Sequence, residues 1–97
     1  MKIEDLPVKY QEDVNKAATL LKNEGCKYVY LFGSLVTGDI HPKSDIDIGI
    51  RGFVKGKYFR LWSKLGRALK HEVDLIDFDL NHEMFDLLCS LGEVVEL

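Results

Sequence analysis

The sequence predicts an α/β fold, a small mixed β-sheet packed with helices. Two observations predict it. Stretches with apolar residues at helical spacing are interspersed with short runs rich in aromatic and β-branched residues. Glycines stand where one kind of stretch gives way to the next, at Gly25, Gly33 and Gly92.

The elements follow in order. From Leu6 to Glu24, the positions Tyr10, Val14, Ala17 and Leu21 make one helical stripe, with Leu6 and Leu20 beside it. Asp5 is the expected N-cap, Pro7 suits the first turn, and Gly25 stops the helix. "CKYVYLF", Cys26 to Phe32, is apolar on both faces and predicts a central strand ended by Gly33. "SLVTG" predicts one helical turn with Ser34 as cap and Gly38 as stop, and "DIHPK" predicts a loop around Pro42. "SDIDIGI" alternates strictly. Ile46, Ile48 and Ile50 point one way, while Asp45, Asp47 and Gly49 point the other. A one-residue slip would bury the aspartates, so the isoleucines set the register.

After "RGFVKGK", the residues Tyr58, Leu61, Trp62, Leu65 and Leu69 predict a second amphipathic helix, with a basic stripe of Lys57, Arg60, Lys64 and Arg67. "EVDLIDF" predicts a third strand, with Asp74 and Ile76 on the face opposite Val73, Leu75 and Asp77. "NHEMFDLLCSL" predicts a short helix capped by Asn81 and stopped by Gly92. "EVVEL" predicts a last, edge strand.

The 97 residues suit one domain, 1–97, with a thin core. A partner or second subunit would help complete a substrate pocket. The hydrophobic fraction of 46% and charged fraction of 30% are those of a soluble globular chain, and no apolar run would span a bilayer. The N-terminus lacks the apolar segment of a signal peptide, so the expected location is cytoplasmic. Cys26 and Cys89 form neither a metal pair nor a disulfide framework and read as two small reduced core residues. The net charge of -3 argues against bulk electrostatic binding of nucleic acid. The charge is segregated: Ile48 to His71 holds seven basic residues and no acid, whereas Glu72 to Leu97 holds eight acids and no Lys or Arg. That pattern gives two differently decorated solvated faces and can set up a local field.

The chemistry concentrates in two places. Asp45 and Asp47 share a strand face with Cα atoms about 6.5–7 Å apart. Two like charges so close favour a counter-ion, and all-oxygen ligands suit Mg²⁺ or Mn²⁺ rather than zinc. Asp74 becomes a third ligand if its strand pairs beside the second, and three carboxylates can hold two metal ions for a phosphoryl displacement. Gly33 allows a sharp turn and close approach of backbone to a ligand. Ser34 adds a hydroxyl and opens a turn with free N–H groups suited to phosphate.

"GSLVTGDIHPKSDID" resembles the signature of the nucleotidyltransferase superfamily that includes DNA polymerase beta: Gly-Ser, ten residues, Asp-x-Asp. The resemblance covers roughly Glu24 to Leu97, including the Asp in "VDLID" and the closing "GEVVEL", and the short length is similar to that of minimal nucleotidyltransferases. It implies a polymerase beta-like nucleotidyltransferase fold. It implies that Gly33 and Ser34 hold the phosphates of ATP, that Asp45 and Asp47 ligate Mg²⁺, and that Asp74 completes a second metal site and helps deprotonate the attacking hydroxyl. Minimal members often pair with a HEPN-domain toxin and act as antitoxin by transferring AMP to a toxin tyrosine. The resemblance therefore implies a protein partner, in a homo- or hetero-oligomer; the acidic balance argues against a nucleic-acid partner, and the absence of an apolar span argues against a membrane. Two other readings stand beside it: a non-catalytic module that neutralises a partner by contact, and transfer to a small molecule or RNA end.

Many relatives carry arginines soon after Gly-Ser, where this chain has Leu35, Val36 and Thr37. A substitute cation would come from Lys43, Arg51 or the basic stripe. His41, His71 and His82 show no ligand spacing and read as surface histidines, although His41 lies in the motif loop. Asp77 and Asp79 read as solvated acids at a strand end. Tyr58 and Trp62 read as core or interface residues, and the exposed part of their helix is the expected partner surface.

Overall fold

A computed structural model describes residues 3–97. After a 3-10 turn at Ile3–Asp5 come α1 (Val8–Asn23), β1 (Tyr28–Phe32), the single turn α2 (Ser34–Thr37) and β2 (Ile46–Arg51). A second 3-10 turn, Lys55–Lys57, leads into α3 (Tyr58–Ala68), followed by β3 (Val73–Asp77), α4 (His82–Leu91) and β4 (Val94–Glu96). The predicted α/β class and mixed sheet hold. No helix among the described residues is long and apolar enough to cross a membrane.

Helix α1 starts later than expected. Pro7, not Asp5, occupies the N-cap position, and its carbonyl accepts the N–H groups of Tyr10 (2.9 Å) and Gln11 (3.1 Å). The cause is steric: a proline disfavours helical backbone in the residue before it, so Leu6 cannot join the helix. Leu6 instead buries its side chain in the core. At the other end Gly25 adopts φ +98° and terminates α1 as predicted.

The sheet order is β3-β2-β1-β4. Strand β1 is central and pairs antiparallel with β2 and with the edge strand β4, while β2 and β3 run parallel. Parallel pairing needs a crossover, and α3 supplies it. The alternation in "DIDIGI" is realised: Ile46, Ile48 and Ile50 are fully buried on one face, with Val29, Leu31 and Leu75. Helices α1 and α3 cover that face with Tyr10, Val14, Ala17, Leu21, Leu61 and Leu65, joined by Leu69 just past the end of α3.

The opposite face carries a smaller aromatic core. Tyr30 and Phe32 pack there against Phe78 and against Phe85 of α4. The Phe78 ring sits against Gly49, where any Cβ would overlap it. A glycine in mid-strand is thus required by the ring above it. Because α4 turns Phe85 and Leu88 toward this core, Cys89 is left outside. It is exposed, and the expectation of two core cysteines holds only for Cys26. Burial pushes the Cys26 thiol up to about 11, with Glu24 adding to the effect.

Candidate functional site

The five residues singled out in the motif gather at one end of the sheet. Gly33 and Ser34 follow β1, Asp45 immediately precedes β2, Asp47 lies within it, and Asp74 is in β3. The registers align Phe32 with Asp47 and Asp47 with Asp74. Asp47 and Asp74 are therefore direct neighbours on adjacent parallel strands, about 4.8 Å apart along the hydrogen-bonding direction. They share the face of the aromatic core, opposite the isoleucines.

Gly33 rather than Ser34 is the N-cap of α2, with φ +77° and a carbonyl that accepts Val36 N (3.0 Å) and Thr37 N (3.1 Å). Ser34 is the first helical residue. The reason is the turn itself: leaving β1 requires positive φ, which glycine alone adopts without strain. A Cβ at position 33 would also overlap the Asp47 carboxylate. The backbone after β1 and the Asp47 side chain are thus in direct juxtaposition, and only the absence of a side chain permits it. Gly38, with φ +88°, ends the turn by donating to the Ser34 carbonyl at 2.9 Å.

Asp47 is half-buried, whereas Asp45 and Asp74 are exposed. Burial, then Asp74 and Asp45, push the Asp47 carboxyl up to about 6. The charge conflict foreseen from the sequence is present. Among the described residues, no three Asp, Glu, His or Cys side chains converge tightly enough to enclose a metal ion by themselves. The donor set is nonetheless of one chemical kind, oxygen from carboxylates, and suits a hard cation that keeps water or phosphate among its ligands.

Of the cations considered as substitutes, Arg51, Lys57 and Lys64 are engaged elsewhere, as is the neighbouring Lys55. Arg51 lies over the Phe85 ring at 4.6 Å and bonds Asp79 at 3.3 Å. Lys55 bonds Asp77 (3.2 Å) and Asp79 (2.6 Å). Lys64 pairs with Glu24, whose carbonyl also accepts the Lys57 ammonium at 3.4 Å. Asp77 and Asp79 are therefore not the free solvated acids expected. They lash the connection after β2 to the one after β3, and Asp79 also accepts Gly52 N at 2.8 Å. Lys43 is exposed in the motif loop, where it lines a hollow of about 280 Å³ with Ser44, Asp45, His71 and Glu72.

One group escaped the sequence reading. Asp13 is 1% exposed, and a single oxygen accepts from Lys70 N (2.9 Å) and His71 N (2.8 Å) and faces His71 Nδ1 at 2.6 Å. The His71 ring stacks on Tyr10 with centroids 4.3 Å apart, so His71 is not a surface histidine. A signal was available: Asp13 sits between Tyr10 and Val14 on the stripe that α1 buries, a charged residue in a core position.

Residues 15–91 match the model of the family described as "Polymerase beta, Nucleotidyltransferase". A toxin–antitoxin crystal structure with AMP-PNP is 36% identical over 67% of this chain and 56% of its own, with a TM-score of 0.57. A crystal structure of a toxin–antitoxin MntA–HpeT mutant, carrying two Asp-to-Glu changes two positions apart, is 33% identical over the same shares, with a TM-score of 0.56. The chain thus spans 56% of the length of each of these two chains. No curated protein matches it. With most of the sequence covered by that family model, and with strand, Gly-Ser turn and aspartates arranged as described, the chain belongs to the polymerase beta nucleotidyltransferase family.

Proposed function

We propose that this chain, as one domain over 1–97, is a Mg²⁺-dependent nucleotidyltransferase that moves AMP from ATP to a hydroxyl of a partner protein. The expected acceptor is a tyrosine of a HEPN-type toxin, which makes the chain an antitoxin. The observation that carries the reading is the alignment of Asp47 with Asp74 on adjacent strands, with Gly33 packed against Asp47. The similar structures add support, one holding AMP-PNP and the other altered at two aspartates with the spacing of Asp45 and Asp47.

In this reading Asp45 and Asp47 would hold one Mg²⁺, and Asp74 would complete a second site. The ions, when bound, supply charge neutralisation for the triphosphate and for the attacking and leaving oxygens. Gly33 lets the backbone approach the phosphates, and the Ser34 hydroxyl donates to a phosphate oxygen. Asp74, exposed on β3 beside Asp47, accepts the proton of the incoming hydroxyl. That oxygen attacks the α-phosphorus in line, the bond to the β-phosphate oxygen breaks, and pyrophosphate leaves. Lys43, exposed in the motif loop, takes the place of the arginines absent at Leu35, Val36 and Thr37.

That apolar "LVT" turn also favours a second reading, in which the chain neutralises its partner by contact alone. One experiment separates the two: incubation with labelled ATP, Mg²⁺ and the product of its neighbouring gene. Transfer of label that is abolished in Asp45→Ala and Asp47→Ala supports the enzyme. Full neutralisation by both variants, with no label moved, supports contact alone.

A further inference from the structure

The ladder between β2 and β3 is thin at the candidate site. Asp45 precedes β2, and the bond from Ile46 N to Glu72 O (2.9 Å) is where that ladder begins. The sheet alone therefore leaves the loop carrying Asp45 loosely tied to the loop that leads to Asp74. Helix α1 ties both. On one side Asp13 accepts the N–H groups of Lys70 and His71 and the His71 ring, which fixes the chain three residues before Asp74. On the other side the Tyr10 hydroxyl donates to the carbonyls of Ser44 (3.2 Å) and His41 (3.4 Å), which fixes the chain one residue before Asp45. The Tyr10 and His71 rings, stacked at 4.3 Å, join the two halves. The Ser44 hydroxyl tightens the loop further by accepting His41 N at 2.7 Å.

We infer that Asp13, His71 and Tyr10 are positioning residues that hold the Asp45 loop and the start of β3 at the separation at which Asp45 and Asp74 can serve metal ions together. The inference rests on the nucleotidyltransferase reading above. None of the three needs to touch substrate. Burying a carboxylate is costly unless it is fully bonded, and here the bonds go to the two loop N–H groups and the ring next to the site, not to a distant part of the core. A purely structural role would make the three residues matter for stability alone. A positioning role makes them matter for cation affinity beyond any change in stability.

The test is Mn²⁺ titration, followed by paramagnetic resonance, on the wild type and on Tyr10→Phe, His71→Asn, His71→Ala and Asp47→Asn, each with its thermal midpoint. Tyr10→Phe keeps the ring stack and removes only the hydroxyl bonds. His71→Asn keeps a donor toward Asp13, and His71→Ala does not. Loss of an outer group that orients a ligand typically weakens metal binding about tenfold or more. The expected result is about tenfold weaker Mn²⁺ binding in Tyr10→Phe and His71→Ala, with His71→Asn closer to wild type. The midpoint of Tyr10→Phe should move little. If Asp47→Asn loses Mn²⁺ while Tyr10→Phe and His71→Ala bind within twofold of wild type, the positioning inference falls alone. If wild type and Asp47→Asn take up Mn²⁺ equally, or neither does, the nucleotidyltransferase reading falls and takes this inference with it.

Discussion

Asp47 is held by the fold in a place where its charge is unwelcome. It is half-buried, faces two other carboxylates, and has its carboxyl pushed up to about 6 by burial first and those neighbours second. An unfolded aspartate titrates near 3.9. Between those values the unfolded chain has released the proton and the folded chain has kept it. The unfolded state then binds fewer protons, so stability falls as pH rises from about 4 through about 6. Asp13 works in the opposite sense. Burial raises its carboxyl, but bonds from the His71 ring and from His71 and Lys70 N–H overcome that and hold it below the usual range, so its contribution is lost as pH falls. Comparing the wild type with Asp47→Asn isolates the first effect. In chelator, urea unfolding at pH 7.5 and 4.5 should show the wild type losing on the order of 2 kcal/mol more than the variant on going to the higher pH. Mg²⁺ at pH 7.5 should restore most of the loss in the wild type only, since a cation that binds the folded state stabilises it. Equal pH dependence in both proteins would mean that Asp47 is well solvated. The pair Asp45 and Asp47 was legible because strand alternation is a local rule. The Asp13–His71 bond was not, because it joins residues 58 positions apart.

At the scale of elements, α3 does more than cover the sheet. Strand β3 is an edge strand, with carbonyls facing outward that an incoming strand would otherwise pair. The Tyr58 hydroxyl donates to the Leu75 carbonyl, and the Trp62 indole N–H donates to the Val73 carbonyl at 3.4 Å. The geometry is natural: four helical residues rise about 6 Å, and two strand residues span nearly the same distance. Sequence periodicity identified the stripe of Leu61, Leu65 and Leu69, all now in the core, and grouped Tyr58 and Trp62 with it. It did not reveal that their polar tips close an edge, because which strand lies at the edge depends on the order of the whole sheet. Nor did it resolve the start of α1, where the effect of Pro7 on Leu6 outweighed a favourable cap at Asp5. Tyr58→Phe should cost about 0.5–1.5 kcal/mol, the worth of a typical hydrogen bond, and Trp62→Phe no more than that given its longer bond. Urea denaturation checks both. Faster amide exchange confined to β3 and α3 in Tyr58→Phe would place the loss at this edge, whereas unchanged stability in both variants would show that water satisfies those carbonyls equally well.

The whole molecule is a sheet with unequal cores on its two faces. The larger one, under α1 and α3, rests on aliphatic residues from three strands. The smaller one rests on four rings: Tyr30, Phe32, Phe78 and Phe85, with Phe78 5.2 Å from both Phe32 and Phe85. Asp47, Asp74 and Gly33 open onto this second face, so the site borders the weaker core. The sequence contains each ring, yet not the fit between Gly49 and the ring of Phe78, since that depends on a turn after β3 returning the chain over β2. Phe78 is fully buried, and its replacement by alanine should remove about 3–5 kcal/mol. Against the total of about 5–15 kcal/mol common for small domains, that brings the chain close to unfolding. The loss should fall unevenly. Helix α4 is anchored by Phe85 and Leu88 on Phe78 and Tyr30, whereas α1 and α3 do not touch this core. Phe78→Ala should therefore speed amide exchange in α4 and β4 well before it does so in α1, and Phe78→Leu, which keeps most of the volume, should recover more than half of the stability. Uniform acceleration across all helices would show instead that the two faces unfold as one unit.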